Sequence, residues 1–394
     1  MKTIYIPKSA QKILDRLSRS GYQAYIVGGC VRDALLGRVP DDYDITTSAL
    51  PEEVKALFEK TVDTGISHGT VTVISDNVPY EVTTFRIDGE YHDSRHPVSV
   101  SFTQMVEFDQ ARRDFTVNAM CYNGSTGIVD SFGGISDLQN KIIRAVGDPA
   151  KRFEEDALRV FRAVRFSAVL GFDIEDNTAR AVNEYKDNLK NISRERIYTE
   201  WKKLLSGREA YAVLEKYSDV IAAVIPELSD MKLPVRAKFD ALSSEERQIV
   251  LFAANSSADA FDSAMRRLKV DNKTREFGRS VLNNLTLKDS MTDAELKLFL
   301  QKISDCGALT CAKILWSLEL CGEQVYKRLS KLIEIDTPRR ISQLAVSGRD
   351  LLEAGLIGER IGNMLDTLLS LVAVGELANE KRELMDYVVT HKNG

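Results

Sequence analysis

The sequence predicts a multidomain protein in which a mixed α/β region is followed by an all-α region. Three observations lead to this fold class. The chain has 394 residues, more than one hydrophobic core usually organises, because domains typically run to about 100–200 residues. Runs of β-branched and aromatic residues are confined to the first third of the chain. From about Asp156 onward, apolar residues recur instead at helical spacing.

Strand and helix signals are mixed in the first third of the chain. The runs rich in β-branched or aromatic residues predict strands at 24–27, 43–47, 70–74, 80–85 and 98–102. We expect one helix to follow Gly29. A second is expected at 51–59, opening with Ser48 and carrying Glu52 and Glu53 near the positive end of its dipole. Together these elements predict a mixed sheet with helices.

The rest of the chain reads as helices with few strand-like runs. Apolar residues at helical spacing include Leu158, Phe161 and Val164, and the same spacing continues further along. Turn-forming residues cluster at 206–207, 305–307 and 336–338. These clusters predict joints between helical subdomains.

The amino-acid composition limits the class of protein and the partners to be expected. The chain is 44% hydrophobic and 28% charged, as in ordinary soluble globular proteins. No apolar run approaches the roughly 18–20 residues that cross a bilayer, and the start lacks the features of a signal peptide. We therefore expect a cytoplasmic protein without membrane contact. The net charge of −5 argues against indiscriminate binding of polyanions.

Cysteine and histidine are too sparse for their usual chemistry. The five cysteines are scattered, with no Cys-x-x-Cys pair, and only four histidines occur. The chain therefore has few cysteine and histidine residues from which to build a zinc site or a His-based nucleophilic triad. Any metal must be bound by carboxylates.

A glycine pair follows the first predicted strand. Gly28 and Gly29 end that strand, and Arg32 lies in the first turn of the helix beyond. Without a Cβ, glycine lets the backbone approach a phosphate closely while the helix N–H groups point at it. The alternative is a tight strand-to-helix turn with no ligand, which the Gly-Gly pair alone would favour.

Acidic residues close to this turn favour a ligand. Asp42 and Asp44 are two apart at the next predicted strand, so their side chains are expected on one face, where they can hold divalent cations jointly. Hard oxygen ligands suit Mg²⁺, and two such ions can promote in-line displacement of pyrophosphate. Glu81 is the candidate third carboxylate. Its alternative is a glutamate on an edge strand facing water.

These motifs carry a family resemblance. Residues 28–33 (Gly-Gly-Cys-Val-Arg-Asp) followed by Asp42-Tyr43-Asp44 resemble the signature of the DNA polymerase beta nucleotidyltransferase superfamily. The longer context is similar to the family of class II tRNA nucleotidyltransferases and poly(A) polymerases. Three further segments carry this similarity: 112–120 (Arg-Arg-Asp-Phe-Thr-Val-Asn-Ala-Met), 155–159 (Glu-Asp-Ala-Leu-Arg) and 193–200.

The resemblance implies an architecture and a set of roles. It implies a catalytic α/β nucleotidyltransferase head at 1–138, a helical neck at 139–205 that recognises the base, a helical body at 206–300 and a helical tail at 301–394. The catalytic residues would be Asp42, Asp44 and Glu81, of which Asp42 and Asp44 bind Mg²⁺. The nucleotide-binding residues would be Gly28, Gly29, Arg32, Arg113, Asp114, Asp156, Arg159, Arg162 and Arg165.

The chemistry of Asp156 and Arg159 supports the implied base recognition. The two residues are three apart, so they are expected to share a helix face, as are Arg162 and Arg165. Ionised aspartate only accepts hydrogen bonds and arginine only donates them. Cytosine and adenine each present a donor beside an acceptor that fit this pair, whereas uracil and guanine present the reverse. The alternative is an ordinary helix with salt links, in which Glu154 or Glu155 pairs with Arg159.

The stretch 88–97, between two predicted strands, is rich in glycine, serine, proline and charges. This composition predicts an exposed, mobile loop, and a plain hairpin connection is the alternative. In the family that the chain resembles, a loop at this place helps the site to accommodate ATP. Asp93 and Arg95 would be its functional residues.

Two basic clusters occur in the helical region. Either could be a solvated helix face, but two of them in a chain with a nucleotide site favour contacts with RNA phosphates. The predicted RNA-binding residues are Arg266, Arg267, Lys269, Lys273, Arg275, Lys327, Arg328, Arg339 and Arg340.

The sequence thus predicts an enzyme that adds CMP and AMP, from CTP and ATP, to the 3′ end of tRNA and releases pyrophosphate. An A-adding enzyme or a poly(A) polymerase of the same family shares every motif. A more remote alternative is a catalytically inactive RNA-binding protein on the same scaffold. The oligomeric state stays open.

Overall fold

The computed structural model describes residues 3–89, 99–335 and 337–392. The chain divides into two compact units, Met1–Pro226 and Glu227–Gly394.

The first unit begins with a mixed α/β region. Its helices and strands, in chain order, are α1 (Lys8–Arg19), β1 (Ala24–Val27), α2 (Gly29–Leu35), β2 (Asp44–Thr47), α3 (Pro51–Leu57), β3 (Thr61–Gly65), β4 (Thr70–Ser75), β5 (Val78–Thr84), β6 (Arg86–Asp88), β7 (Val100–Phe102), α4 (Val106–Ala111), β8 (Cys121–Asn123), β9 (Gly127–Val129) and α5 (Gly134–Asn140).

A mixed sheet organises this region. In the described residues it has seven strands in the order β3-β4-β5-β2-β1-β8-β9, and β6 pairs separately with β7. The pairing of β2 with β5 is parallel, while β1 pairs with β2 and with β8 antiparallel. Buried residues at the β1 side, including Tyr25, Val27 and Phe85, form one part of the core. The predicted mixed sheet with helices is confirmed.

The predicted strands appear with small shifts at their ends. The last of them is described from Val100 onward, because residue 98 lies outside the described residues. The helix expected at 51–59 ends at Leu57 and is capped at Leu50, whose N–H donates to Glu53 Oε2 at 2.7 Å. Ser48 does not open it: its Oγ accepts instead from the Gln23 N–H at 2.9 Å. Strands β3, β8 and β9 were not predicted: β3 contains Asp63 and Gly65, which are rare in strands, and β8 and β9 have only three residues each.

Helices dominate the rest of the first unit. The elements are β10 (Ile142–Ile143), α6 (Pro149–Glu155), α7 (Leu158–Leu170), β11 (Asp173–Ile174), α8 (Asp176–Tyr185), α9 (Arg194–Leu205), α10 (Ala210–Lys216) and α11 (Ser218–Val224). Trp201 on α9 and Phe161 on α7 are fully buried. The pair β10 and β11 is parallel and only two residues long.

The second unit is helical throughout its described residues. Its helices are α12 (Arg236–Asp240), α13 (Ser244–Asn255), α14 (Ala258–Arg267), α15 (Asn272–Asn283), α16 (Asp293–Lys302), α17 (Asp305–Ser317), α18 (Glu323–Glu334), α19 (Gly348–Glu353), α20 (Glu359–Val374) and α21 (Lys381–His391). Leu351, Leu365, Leu368 and Leu384 belong to a core shared by α19, α20 and α21. The helical character expected for the later part of the chain is confirmed.

One predicted joint lies two residues earlier than expected. Helix α16 ends at Lys302, and residues 305–307 are the first turn of α17, whose N-cap Ser304 accepts the Gly307 N–H at 3.2 Å. Serine at an N-cap and aspartate in the first turn are helix-start signals as much as loop signals. The turn-forming residues 206–207 directly follow the end of α9, as predicted. Residue 336 lies outside the described residues.

The division into head, neck, body and tail remains a prediction, and the expected boundary at 300/301 falls within α16. Across the described residues we find no helix that is both long enough and apolar enough to cross a membrane.

Candidate active site

A tight turn joins β1 to α2. Gly28 has φ of +81°, which L side chains rarely adopt, and its N–H donates to Met120 O at 3.2 Å. A Cβ at this position would lie 3.3 Å from Arg113 Nη1. Gly29 is the first residue of α2. The glycine pair therefore brings backbone and a guanidinium closer together than another residue would allow.

An acidic cleft of about 560 Å³ lies at the start of β2, whose first residue, Asp44, pairs with Val27 just before Gly28. Asp42, Asp44 and Glu81 line it together. Asp44 is the first residue of β2, whereas Asp42 lies just before the strand, so the expectation that both project from one strand is wrong although they line one cleft. The parallel register of β2 on β5 pairs Ile45 with Val82 and so brings Glu81 beside Asp44. Because β5 lies between β4 and β2, Glu81 is not on an edge strand.

The electrostatics of the cleft suit a cation. Partial removal from water raises the pKa of Asp44 to about 6, and the Asp42 and Glu81 charges act in the same direction, while Arg113 opposes them. Carboxylates crowded in this way repel one another unless positive charge is supplied.

The donor set fits a divalent ion that shares its ligands with a substrate. Within the described residues, no group of three or more His, Cys, Asp or Glu side chains is arranged to hold a metal ion alone. Mg²⁺ in nucleotide-dependent enzymes is typically bound by one or two carboxylates, with phosphate and water oxygens completing its shell. Asp42 and Asp44 match this arrangement.

Arg32 and Asp114 face each other across Asn118. Arg32 donates to Asp33 and, through Nη1, to Asn118 Oδ1 at 2.6 Å. Asn118 Nδ2 donates to Asp114 Oδ1 at 3.2 Å. Burial raises the pKa of Asp114, but the Arg162 guanidinium outweighs it and lowers this pKa to about 2. The side chains of α2, of 112–118 and of α7 are thus connected by hydrogen bonds.

Asp156 and Arg159 lie at the break between two helices. Asp156 falls between α6 and α7, so the expectation that it shares a helix face with Arg159 is wrong. Its Oδ1 accepts the Leu158 N–H at 3.0 Å, and its Oδ2 accepts from Arg196 Nη2 at 2.7 Å. The two residues stay in one turn, because the Arg159 N–H donates to Asp156 O at 2.9 Å.

The Arg159 guanidinium has several protein partners. It donates to Glu155 Oε2 at 2.7 Å and to Arg112 O at 2.8 Å. The helix salt link considered as an alternative for Arg159 is therefore present, with Glu155. Its role in base recognition stays a prediction.

Arg162 and Arg165 share a face of α7, as expected. Arg162 donates to Asp114 and lies 3.6 Å from Glu200 Oε1, while Arg165 Nε donates to Glu200 Oε2 at 2.8 Å. Phe166 lies among them, with the Arg32 and Arg162 guanidinium carbons each 5.3 Å from its ring centroid. Arg165 is buried with Glu200. Its predicted contact with the nucleotide stays untested.

Most of the predicted RNA-binding cations are ion-paired within the second unit. Arg267 makes two bonds to Glu227 at 2.7 and 2.8 Å, and Arg266 and Arg275 both pair with Asp262. Arg328 pairs with Asp293, Lys327 with Glu323 and Arg339 with Asp305. Lys269 has a left-handed φ of +57° after α14, while Lys273 and Arg340 are exposed. Their RNA-binding role stays a prediction, and the predicted loop residues Asp93 and Arg95 lie outside the described residues.

Several residues at the site had no assigned role. Asn118 lies within the segment 112–120, and Glu200 and Arg196 lie within 193–200, but side-chain partners across the chain cannot be read from spacing. No sequence pattern indicated Asp109, apart from its position three residues before Arg112.

Comparisons with known proteins show the family of the chain. The chain matches three family models: the poly A polymerase head domain at residues 24–144, the probable RNA and SrmB-binding site of polymerase A at 171–231, and the putative tRNA nucleotidyltransferase domain 2 at 241–388. The fold and the acidic cleft thus define a nucleotidyltransferase.

Relatives extend over the whole chain. The CCA-adding enzyme of Leuconostoc mesenteroides is 36% identical and covers 100% of this chain and 99% of its own length. That of Lactobacillus helveticus is also 36% identical, covering 96% of each chain. The crystal structure of the Bacillus stearothermophilus CCA-adding enzyme in complex with CTP is 33% identical, with a TM-score of 0.80 over 98% of this chain and 97% of that one.

The chain belongs to the family of CCA-adding enzymes. Nucleotidyltransferases of this family generally use divalent metal ions.

Proposed function

We propose that this enzyme adds CMP and AMP from CTP and ATP to the 3′ end of tRNA. The observation that carries the proposal is one cleft lined by Asp42, Asp44 and Glu81, in which Asp44 pairs with Val27, the residue before Gly28. Because the three carboxylates line a single cleft, both nucleotides would react at the same carboxylates. The full-length similarity to CCA-adding enzymes supports tRNA as the acceptor.

The residues in and around the cleft would have different roles in the reaction. Asp42 and Asp44 would hold Mg²⁺, which when bound lowers the pKa of the attacking 3′-hydroxyl and neutralises charge on the leaving pyrophosphate. Glu81 adds negative charge beside Asp44. The Gly28 turn and Arg32 would hold the triphosphate, and Asp114, fixed by Arg162 and Asn118, would orient the ribose. These contacts place the α-phosphate without themselves entering the bond-making step.

Asp156 and Arg159 would select the base. Asp156 can accept from the exocyclic amine of cytosine or adenine, and Arg159 can donate to the adjacent ring nitrogen. Their present partners are Arg196 and Glu155, each at 2.7 Å. A base that binds here would compete with these two partners for the side chains of Asp156 and Arg159.

The raised pKa of Asp44 predicts how Mg²⁺ binding depends on pH. A divalent ion binds the carboxylate and not the acid, so a proton competes with Mg²⁺ once the pH falls below about 6. We expect the apparent affinity for Mg²⁺, measured by calorimetric titration of the protein between pH 5 and 8, to be constant above pH 7. Well below pH 6 it should weaken by about tenfold per pH unit. Affinity that stays flat from pH 5 to 7 would contradict the placing of Mg²⁺ at Asp44.

The Gly28 turn predicts a second effect. Gly28→Ala should raise the KM for CTP and ATP by about tenfold or more, because the new methyl group presses on Arg113 and strains the turn. Gly21→Ala is the matched control: Gly21 also has a positive φ, of +89°, but nothing lies within 4 Å of its Cβ position. Both variants should lose stability, by about 1 kcal/mol. Equal KM values for the two variants would show that the close approach at Gly28 does not serve nucleotide binding.

A poly(A) polymerase is the remaining alternative of the same family. The two activities differ in acceptor and in stopping point. With ATP as the single nucleotide, we expect one AMP on a tRNA that ends in CC and none on an unstructured RNA. Long A-tracts on the unstructured RNA would favour the poly(A) polymerase, and absence of incorporation on either RNA, with RNA binding retained, would favour an inactive RNA-binding protein.

A further inference from the structure

Asp109 is a fully buried carboxylate outside the residues assigned above. It lies on α4 and has no solvent-exposed surface. An ionised group removed from water is costly unless positive charge and hydrogen bonds compensate it. The compensation that Asp109 receives comes from the segment that precedes Asp114.

Each oxygen of Asp109 holds a different arginine. Oδ1 accepts from Arg112 Nε at 2.9 Å and from Arg112 Nη2 at 2.7 Å. Oδ2 lies 3.4 Å from Arg113 Nη2 and also accepts from Thr46 Oγ1 at 3.1 Å. Although burial raises the pKa of Asp109, the charges of Arg112 and Arg113 outweigh it and lower this pKa, so Asp109 stays ionised at neutral pH.

These contacts connect Asp109 to both sides of the cleft. Thr46 lies on β2, two residues after Asp44. Arg113 reaches the Gly28 turn, and its charge opposes the rise in the pKa of Asp44. Arg112, through its backbone oxygen, accepts a hydrogen bond from Arg159. Asp109 therefore fixes a guanidinium that is close to the glycine turn and whose charge acts on Asp44.

The orientation of Arg113 is not the one that its own hydrogen bonding would favour. Its Nε is buried and has no hydrogen-bond partner among the described residues. A buried donor without a partner is unfavourable, so another interaction must hold the guanidinium in place. Asp109 supplies such an interaction, an ion pair of 3.4 Å to Arg113 Nη2.

We propose that Asp109 is a positioning residue for the incoming nucleotide. Its charge holds Arg113 beside the Gly28 turn, so that the guanidinium is in place before CTP or ATP enters and little conformational entropy is lost on binding. The inference rests on the proposed function, because it takes the cleft as the nucleotide site. Asp109 acts through Arg113 and does not itself touch the nucleotide.

The test compares two buried aspartates. Asp109→Asn removes the charge and keeps the shape. Asp137→Asn is the matched control, because Asp137 is also buried and accepts from a threonine hydroxyl, Thr116 Oγ1 at 2.7 Å, and from Arg144 Nε at 3.0 Å. Steady-state rates on tRNA lacking CCA are measured for each variant. We expect Asp109→Asn to raise the KM for CTP and ATP by about tenfold or more and to leave the KM for tRNA unchanged. Asp137→Asn should change neither KM. Nucleotide KM values for Asp109→Asn that match those of Asp137→Asn would overturn the proposal.

A second comparison shows whether Asp109 acts through Arg113. In an Arg113→Met background, Asp109→Asn should raise the nucleotide KM no further, because the group that it positions is already gone. Multiplicative effects of the two changes would overturn the proposal.

If Asp109→Asn does not fold, Thr46→Val replaces it, and a rise in nucleotide KM of about threefold is expected from the lost hydrogen bond. An unchanged nucleotide KM in Thr46→Val would then overturn the positioning role of Asp109.

The outcome can be separated from that of the proposed function. If the wild-type protein extends no tRNA, the proposed function is contradicted. Calorimetric titration with CTP, carried out on wild type, Asp109→Asn and Asp137→Asn, would still decide the positioning role. Weaker CTP binding in Asp109→Asn alone supports it, and equal binding in all three proteins overturns it.

Discussion

Asp44→Ala is expected to lower the rates of CMP and AMP addition together, by about 10³-fold or more, while tRNA binding stays near the wild-type level. Asp44 lies where the acidic cleft meets β2, and its carboxylate is one of two that would hold the catalytic metal. Since the proposed cleft would serve both nucleotides, neither activity should survive alone. Rates are measured with tRNA lacking CCA and with tRNA ending in CC, and tRNA binding by a filter or fluorescence assay.

The control for this change is Asp63→Ala. Asp63 is an exposed aspartate on β3 that pairs with Lys55 at 3.1 Å, so its loss should leave both rates within about twofold of wild type. Loss of only CMP addition, or only AMP addition, in Asp44→Ala would contradict a single shared catalytic site.

Asp156→Asn is expected to relax the choice of base. Asparagine retains an oxygen that can cap α7 at the Leu158 N–H, and adds an amide N–H that can donate to the O4 of uracil. We therefore expect the kcat/KM for UTP relative to CTP to rise by about 10- to 100-fold, since one mismatched hydrogen bond at a buried edge costs about 1–3 kcal/mol. The measurement is the incorporation of each nucleotide, alone, into tRNA lacking CCA.

A second aspartate with the same local hydrogen bond supplies the matched control. Asp148 accepts the N–H of Ala150, two residues ahead, at 3.0 Å, as Asp156 accepts that of Leu158, so Asp148→Asn makes the same change in the same local contact. Its UTP to CTP ratio should stay that of wild type. If Asp156→Asn remained active and kept the wild-type ratio, Asp156 would not read the base.

Local patterns were enough to predict the fold class and the residues of the cleft. The strands beginning at Ala24 and Asp44 followed from β-branched and aromatic runs, and the glycine pair marked the turn after β1. These features depend on residues close in sequence. The mixed sheet and the helical region after it were confirmed on that basis.

Side-chain partners could not be predicted in the same way. Asp156 was expected on the helix of Arg159, but it is the first residue of the break after α6, where its side chain accepts the N–H of Leu158, the first residue of α7. The partners Arg196 and Glu200 lie about 40 residues away in sequence, and Thr46 lies 63 residues from Asp109. Such contacts depend on how α7, α9 and the sheet pack, which spacing does not encode. For the same reason, the ion pairs that engage Arg267 and Arg275 were not foreseen.

The most direct test of the central claim is the sequence of the product. The protein is incubated with Mg²⁺, all four nucleotides and a mixture of tRNA lacking CCA and an unstructured RNA, and the 3′ ends are sequenced. We expect tRNA to gain CCA and then stop, with the unstructured RNA unchanged. Tracts of A on either RNA, or tRNA products that contain U or G at the added positions, would contradict the proposal that this cleft builds CCA on tRNA.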